Sequence, residues 1–207
     1  MKTIIRILPA LGMIALISAF TLLGDDNTGV TVGDGAPTFN LKNIDGKKVS
    51  LDDYKDRNGV VVIFTCNHCP YAKAYEDRII ALDQKYKGEG WPVIAINPND
   101  PKSYPSDSYP NMKKRAKEKG FTFPYLFDET QDIARSYGAT RTPHVFILKK
   151  DGEDFKVAYI GAIDDNYKDE SAVEEKYVEN AIEALRSGKE VNPSLTKAIG
   201  CGIKWKK

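Results

Sequence analysis

The chain has 207 residues, 42% of them hydrophobic and 29% charged, with 16 Gly and 11 Pro, proportions of a globular protein rather than a disordered or fibrous one. Thirty Lys and Arg oppose 29 Asp and Glu for a formal charge of +1, which supplies no basic field for a nucleic-acid partner. The three cysteines, Cys66, Cys69 and Cys201, are too few for a disulfide scaffold and odd in number, so at least one thiol is free or exchanging.

Lys2 and Arg6 precede an apolar stretch from Ile7 to Leu23 that gives way to Gly24-Asp25-Asp26-Asn27, the pattern of a secretory signal over residues 1–24. The cleavage site is weakly marked. The alternative is an uncleaved anchor, although the stretch falls short of the ~20 apolar residues that span a bilayer, and a membrane is a partner only in that case. Asp25 stands where a lipoprotein signal needs cysteine. The body is therefore expected in an exported, periplasmic or other extracytoplasmic setting that permits disulfides. Residues 25–35 read as a linker, 36–190 as the domain and 191–207 as a tail carrying Cys201.

Within the domain, Thr38 to Leu41 and Lys48 to Leu51 flank a turn at Asn43-Ile44-Asp45-Gly46 and predict an opening hairpin. Val60 to Phe64 is a continuous run without alternation, the pattern of a strand covered on both faces, and it leads straight into Thr65-Cys66-Asn67-His68-Cys69-Pro70. Ala72, Tyr75, Ile79, Leu82 and Tyr86 then recur at helical spacing up to Gly88. Trp91 to Ile96 is the next buried strand. Strand, helix, strand in this order implies a parallel pair with a right-handed crossover, so the class is α/β.

Residues 98–110 hold four prolines, Pro98, Pro101, Pro105 and Pro110, and can form neither helix nor central strand. Leaving from the carboxyl end of a parallel strand, they read either as a lid over the cysteines or as a surface loop. Ser108 is placed to cap the following helix, which Gly120 ends. Phe123 to Phe127 predicts a short strand and Asp132 to Tyr137 a short helix ending at Gly138. Asp151-Gly152 joins His144–Leu148 to Phe155–Ile160 in a hairpin. Ser171 and Glu174 suggest a capping box before a last helix with Val173, Tyr177, Ala181, Ile182 and Leu185, closed by Gly188.

This order of elements resembles the thioredoxin superfamily over about residues 30 to 190. The hairpin, Phe123-Pro124-Tyr125-Leu126-Phe127-Asp128, Tyr137-Gly138-Ala139 and Thr142-Pro143 resemble its redoxin branch, which holds peroxiredoxin-like (AhpC/TSA) and thiol-disulfide proteins. Cys66-Asn67-His68-Cys69-Pro70-Tyr71 and Gly200-Cys201-Gly202-Ile203-Lys204-Trp205 resemble an exported, peroxiredoxin-like subgroup. The resemblance implies a central mixed β-sheet flanked by helices, with an added N-terminal hairpin and a Pro-rich insertion. It also implies a cis bond before Pro143, with the Thr142 backbone facing the cysteines and pairing with a bound peptide.

The cysteine spacing carries its own chemistry. A thiol is nucleophilic as thiolate, and unpaired N–H groups at a helix amino terminus favour the anion. A second cysteine three residues away can close the disulfide. Buried inert cysteines, or half a zinc site, are the alternative. In one register Cys66 attacks and Cys69 resolves. In the other Cys69 attacks, since Pro70 suits the first helical position; this register is preferred. His68 either stabilises the thiolate or sits solvated in the loop. Cys201 is a distant resolving cysteine, a partner for another chain, or a small tail residue.

The expected function is an exported thiol-disulfide oxidoreductase cycling Cys66 and Cys69, with Thr142, Pro143 and His68 at the substrate and no cofactor. Protein or small-molecule disulfides and a redox partner protein would be its counterparts. The first alternative is a thiol peroxidase using Cys69 on peroxides. Anchored on Cys69, however, the P-x-x-x-T-x-x-C pattern of peroxiredoxins finds Cys66 at the Thr place and Val62 at the Pro place. Arg141 would be the substitute positive charge unless it is a surface residue. The second alternative is a copper-binding metallochaperone holding Cu(I) or Zn with Cys66, Cys69, Cys201 and His68 or His144.

Overall fold

A computed structural model of the chain describes residues 29–207; the expected signal or anchor over 1–24 and the start of the linker lie outside them. In chain order the elements are β1 (Asn40–Asn43), β2 (Lys48–Ser50), β3 (Gly59–Phe64), α1 (Pro70–Tyr86), β4 (Val93–Asn97), α2 (Tyr109–Lys119), β5 (Tyr125–Phe127), α3 (Asp132–Tyr137), β6 (Arg141–Thr142), β7 (His144–Asp151), β8 (Asp154–Gly161), α4 (Tyr177–Arg186) and β9 (Cys201–Gly202). Seven strands form one mixed sheet in the order β2-β1-β5-β4-β3-β7-β8, with β3, β4 and β5 parallel to one another and β7 antiparallel to β3. The mixed α/β class and the opening hairpin are as expected.

The continuous apolar run of β3 divides between two cores because successive side chains point to opposite faces. Val61 and Ile63 join Tyr75, Ile79 and Leu82 of α1, Met112 and Ala116 of α2, and Val178, Ala181 and Ile182 of α4. Val60, Val62 and Phe64 face the other way, onto Ala134 and Tyr137 of α3. Both faces of β3 are thus covered, which is why its sequence lacks alternation. Gly59 opens this strand where a Cβ would fall 2.1 Å from the Trp91 ring, so only glycine lets Trp91 close the end of the core.

Several sequence expectations need correction. The strand expected over Phe123 to Phe127 is shortened to Tyr125–Phe127, since Pro124 has no N–H for a ladder, although its carbonyl still accepts from Ala95 N–H at 3.0 Å. The expected capping box at Ser171 does not start α4, which begins at Tyr177. The Ser171 hydroxyl instead donates to Asp169 at 2.7 Å, within a single 3₁₀ turn over Glu170–Ala172. Ser108 stands at the amino end of α2 but makes no side-chain cap bond there.

Both flanking segments lie on the domain. Gly33 N–H and Ala36 N–H donate to the Val157 and Phe155 carbonyls at 2.8 Å each, so the stretch read as linker adds its end along β8. From the tail, Ile203 and Trp205 pack into the core on the α3 side. No helix among the described residues is long and apolar enough to cross a membrane.

Candidate active site

β3 ends at Phe64 and α1 begins at Pro70, so Thr65 to His68 form the loop between them and Cys69 occupies the cap position of a 17-residue helix. Pro70 fits there because its fixed φ suits the first helical residue and its missing N–H costs no bond. Cys69 is wholly buried and Cys66 is 3% exposed. Opposite them, the Thr142-Pro143 peptide bond is cis, as the resemblance implied. The Thr142 carbonyl oxygen lies 3.2 Å from Cys69 Sγ and the Thr142 hydroxyl 3.1 Å from Cys66 Sγ.

The two thiols are unequal. The Cys66 thiol, then the Cys201 thiol and the Ala72 N–H, direct hydrogens at Cys69 sulfur and hold it well below the ordinary thiol value against its burial. Donation to Cys69, reinforced by burial, pushes Cys66 far up. Physically the anion sits where helix N–H groups are unpaired, and the neighbouring thiol stays protonated to serve it.

Cys201 is brought across 132 residues to the same spot, its Sγ 2.7 Å from that of Cys69. It is partly exposed, and burial together with Cys69 pushes its pKa up to about 11. The backbone responsible is β9, which pairs antiparallel with β6 so that Cys201 faces Thr142 and Gly202 faces Arg141. Arg141, considered as a charge for the thiolate, donates to the Gly200 carbonyl at 3.0 Å and so grips the tail.

The Pro-rich stretch covers the cysteine loop, the lid reading of the sequence. Its wholly buried Asp107 accepts from Asn67 N–H at 2.7 Å, His68 N–H at 3.1 Å and Asn99 Nδ2 at 2.8 Å, and its carboxylate also meets His68 Nδ1. Tyr104 stacks on the His68 ring at 4.1 Å. His68 Nδ1 stands 3.5 Å from Cys66 Sγ, so this histidine is fixed beside Cys66 rather than solvated. Asp107 and Asn99 are the site residues that sequence reasoning missed. A stretch without periodicity gives no signal for which of its polar groups turns inward.

The metal reading finds Cys66, His68 and Asp107 with ligand atoms within 4.8 Å of one another. Asp107, however, already commits its oxygens to two N–H groups of the loop, to Asn99 Nδ2 and to His68 Nδ1, so binding a metal there would unpair buried donors. His144 is not part of the cluster. It sits buried at the start of β7, its Nδ1 accepting from Thr140 N–H at 3.4 Å.

Fold and site together define a thiol redox enzyme on a thioredoxin-like sheet. The chain belongs to the AhpC/TSA family, whose model matches residues 32–157. It is 30% identical over 162 residues to the thiol-disulfide oxidoreductase ResA of Geobacillus thermodenitrificans, covering 76% of this chain and 84% of that protein. Two crystal structures superpose with a TM-score of 0.79. One is an uncharacterized conserved protein from Geobacillus kaustophilus, 40% identical over 87% of this chain and 95% of that one. The other is a hypothetical protein from Sinorhizobium meliloti, 30% identical over 87% and 97%.

Proposed function

We propose that this protein is a thiol-disulfide oxidoreductase in which Cys69 attacks as thiolate and Cys66 resolves, acting on disulfides of proteins or small molecules in an extracytoplasmic compartment. The observation that carries the reading is Cys69 at the amino end of α1, with Cys66 on the preceding loop and both sulfurs against Thr142. The relation to ResA, a protein named for the same chemistry, supports it.

In the forward direction Cys69 sulfur bonds to one sulfur of the substrate disulfide and the other leaves as thiolate. Cys66 then gives up its proton and attacks Cys69, closing the Cys66–Cys69 bond while the bound half of the substrate departs as a second thiol. Two electrons pass from the pair to the substrate.

Reduction of insulin or a small disulfide tests this. The wild type should turn over, Cys69→Ser should fall to the uncatalysed rate, and the double variant Cys66→Ser/Cys201→Ser, which keeps no second thiol, should accumulate mixed disulfides on Cys69. Retained turnover in Cys69→Ser overturns the assignment. Rapid peroxide consumption without disulfide reduction would favour the peroxidase alternative, for which Cys66 and Val62 occupy the places of the Thr and Pro supports. Export by residues 1–24 is tested by fractionating cells that express the full chain.

A further inference from the structure

The pair presents almost no surface to the outside in this arrangement. Cys69 is wholly buried and Cys66 nearly so. The wall over them is the chain's own strand β9, and Cys201 on it is the one partly exposed thiol of the three. We propose that Cys201 is a third redox-active cysteine, which exchanges with Cys69 and carries thiol-disulfide equivalents between the buried pair and an external protein dithiol. This rests on the Cys66/Cys69 reading and adds the route by which that pair communicates with a partner.

Three independent features place Cys201 for this step. Its sulfur is 2.7 Å from Cys69 sulfur, closer than two thiols that merely pass one another. The close approach is built in at Gly200, where any Cβ would come 2.2 Å from the Thr142 carbonyl oxygen; only glycine lets the tail backbone lie against the cis-proline edge. The strand is also held on both sides of the cysteine. Ile203 N–H donates to Thr140 at 3.1 Å and Lys204 N–H to Asn99 Oδ1 at 2.8 Å, while Arg141 holds the Gly200 carbonyl. A tail that needed Cys201 only as a small residue would gain nothing from aiming its sulfur at the attacking cysteine.

The exchange balances without a further reagent. In the oxidised enzyme Cys201 loses its proton and attacks Cys69 sulfur. The Cys69–Cys201 bond forms, the Cys66–Cys69 bond breaks, and Cys66 leaves as thiolate and takes up the proton. With Cys69 uncharged in the disulfide, its charge no longer opposes ionisation of Cys201. One thiol of the external dithiol then attacks the accessible Cys201 sulfur and releases Cys69 as the stabilised thiolate. The second external thiol displaces Cys201, leaving three thiols on this protein and a disulfide on the partner. Run backwards, the same steps oxidise the pair.

The test uses purified protein and thioredoxin as the protein dithiol. Reduced Cys66→Ser treated with one equivalent of oxidised glutathione should yield a Cys69–Cys201 linked peptide on mass mapping. Glutathione retained on Cys69 with Cys201 still alkylatable overturns the proposal. In the second arm, reduction of the Cys66–Cys69 disulfide by thioredoxin should be at least about tenfold slower in Cys201→Ser than in wild type, because the accessible sulfur is gone. Gly200→Ala, which keeps all three thiols and displaces the strand, should lose the Cys69–Cys201 link. Equal or faster reduction in Cys201→Ser overturns the relay. If Cys69→Ser is inactive while Cys201→Ser matches wild type, the relay alone fails; if Cys69→Ser still turns over, the underlying reading fails.

Discussion

Cys66 and Cys69 hold their protons differently because the hydrogen bond between them lowers Cys69 and, with burial, raises Cys66. Donation from Cys66 and Cys201 and the Ala72 N–H keep Cys69 charged. Thiolate ultraviolet absorbance in the reduced protein should therefore persist below neutral pH in wild type and Cys66→Ser and vanish in Cys69→Ser; equal titrations in the two variants would contradict this. The sign of the stability effect follows. An acid whose folded pKa is depressed contributes stability above its unfolded value, ~8.5 for a thiol, and loses it as pH falls toward the folded value. The urea midpoint of the reduced wild type should thus drop more on acidification from ~8.5 than that of Cys69→Ser. His144 acts in the same sense for the opposite reason: burial holds the imidazole down to about 4, while the unfolded chain binds its proton near ~6.5. Stability is lost as pH falls between those values, and His144→Gln should flatten that slope in urea titrations.

Among the elements, β9 and the Pro-rich lid shape the site although neither belongs to the main sheet. Gly200→Ala should displace β9 from β6 and speed alkylation of Cys201 by iodoacetamide; an unchanged rate would mean that the Thr142 edge yields instead. Gln131→Ala should act similarly from the other end, since the Gln131 side chain donates to the Lys204 carbonyl at 2.9 Å and accepts from Lys206 N–H at 2.7 Å. For the lid, Asp107→Asn replaces one accepting oxygen with a donor and strands buried N–H groups, which should cost ~1–3 kcal/mol in urea unfolding. The sequence was legible where one local signal decides: the runs of β3 and β4, the spacing of α1, and Asp132 to Tyr137 with Gly138 after it. It was illegible where two signals compete, as at Ser171, whose hydroxyl could serve Glu174 or Asp169 and serves Asp169. The cysteine pair is visible in four residues. The approach of Cys201 to Cys69 is not, because a sequence separation of 132 carries no local record of where the tail returns, and the turn of Asp107 inward leaves none either.

At the scale of the molecule, the sheet separates two cores, and the site sits at one end of the seam. Ile94, wholly buried on the α3 side, should cost ~2–5 kcal/mol when cut to Ala, measured by urea unfolding, while thiolate absorbance stays unchanged. Ile203→Ala removes apolar contact from the same core but should also loosen β9 and raise the reactivity of Cys201. A variant that destabilises without touching Cys201 would show that the tail is held by its hydrogen bonds alone.

The residues that finish the active site follow all the rest of it in chain order. Every strand of the main sheet, both cysteines of the pair and the cis-proline edge precede residue 162, whereas the wall over them arrives only with residues 200–205. A chain made from its amino end therefore passes through a stage in which the reactive dithiol is assembled and uncovered. A thiol oxidant has its freest access to Cys66 and Cys69 then, before residues 200–205 cover the pair and leave Cys201 as the partly exposed thiol beside it.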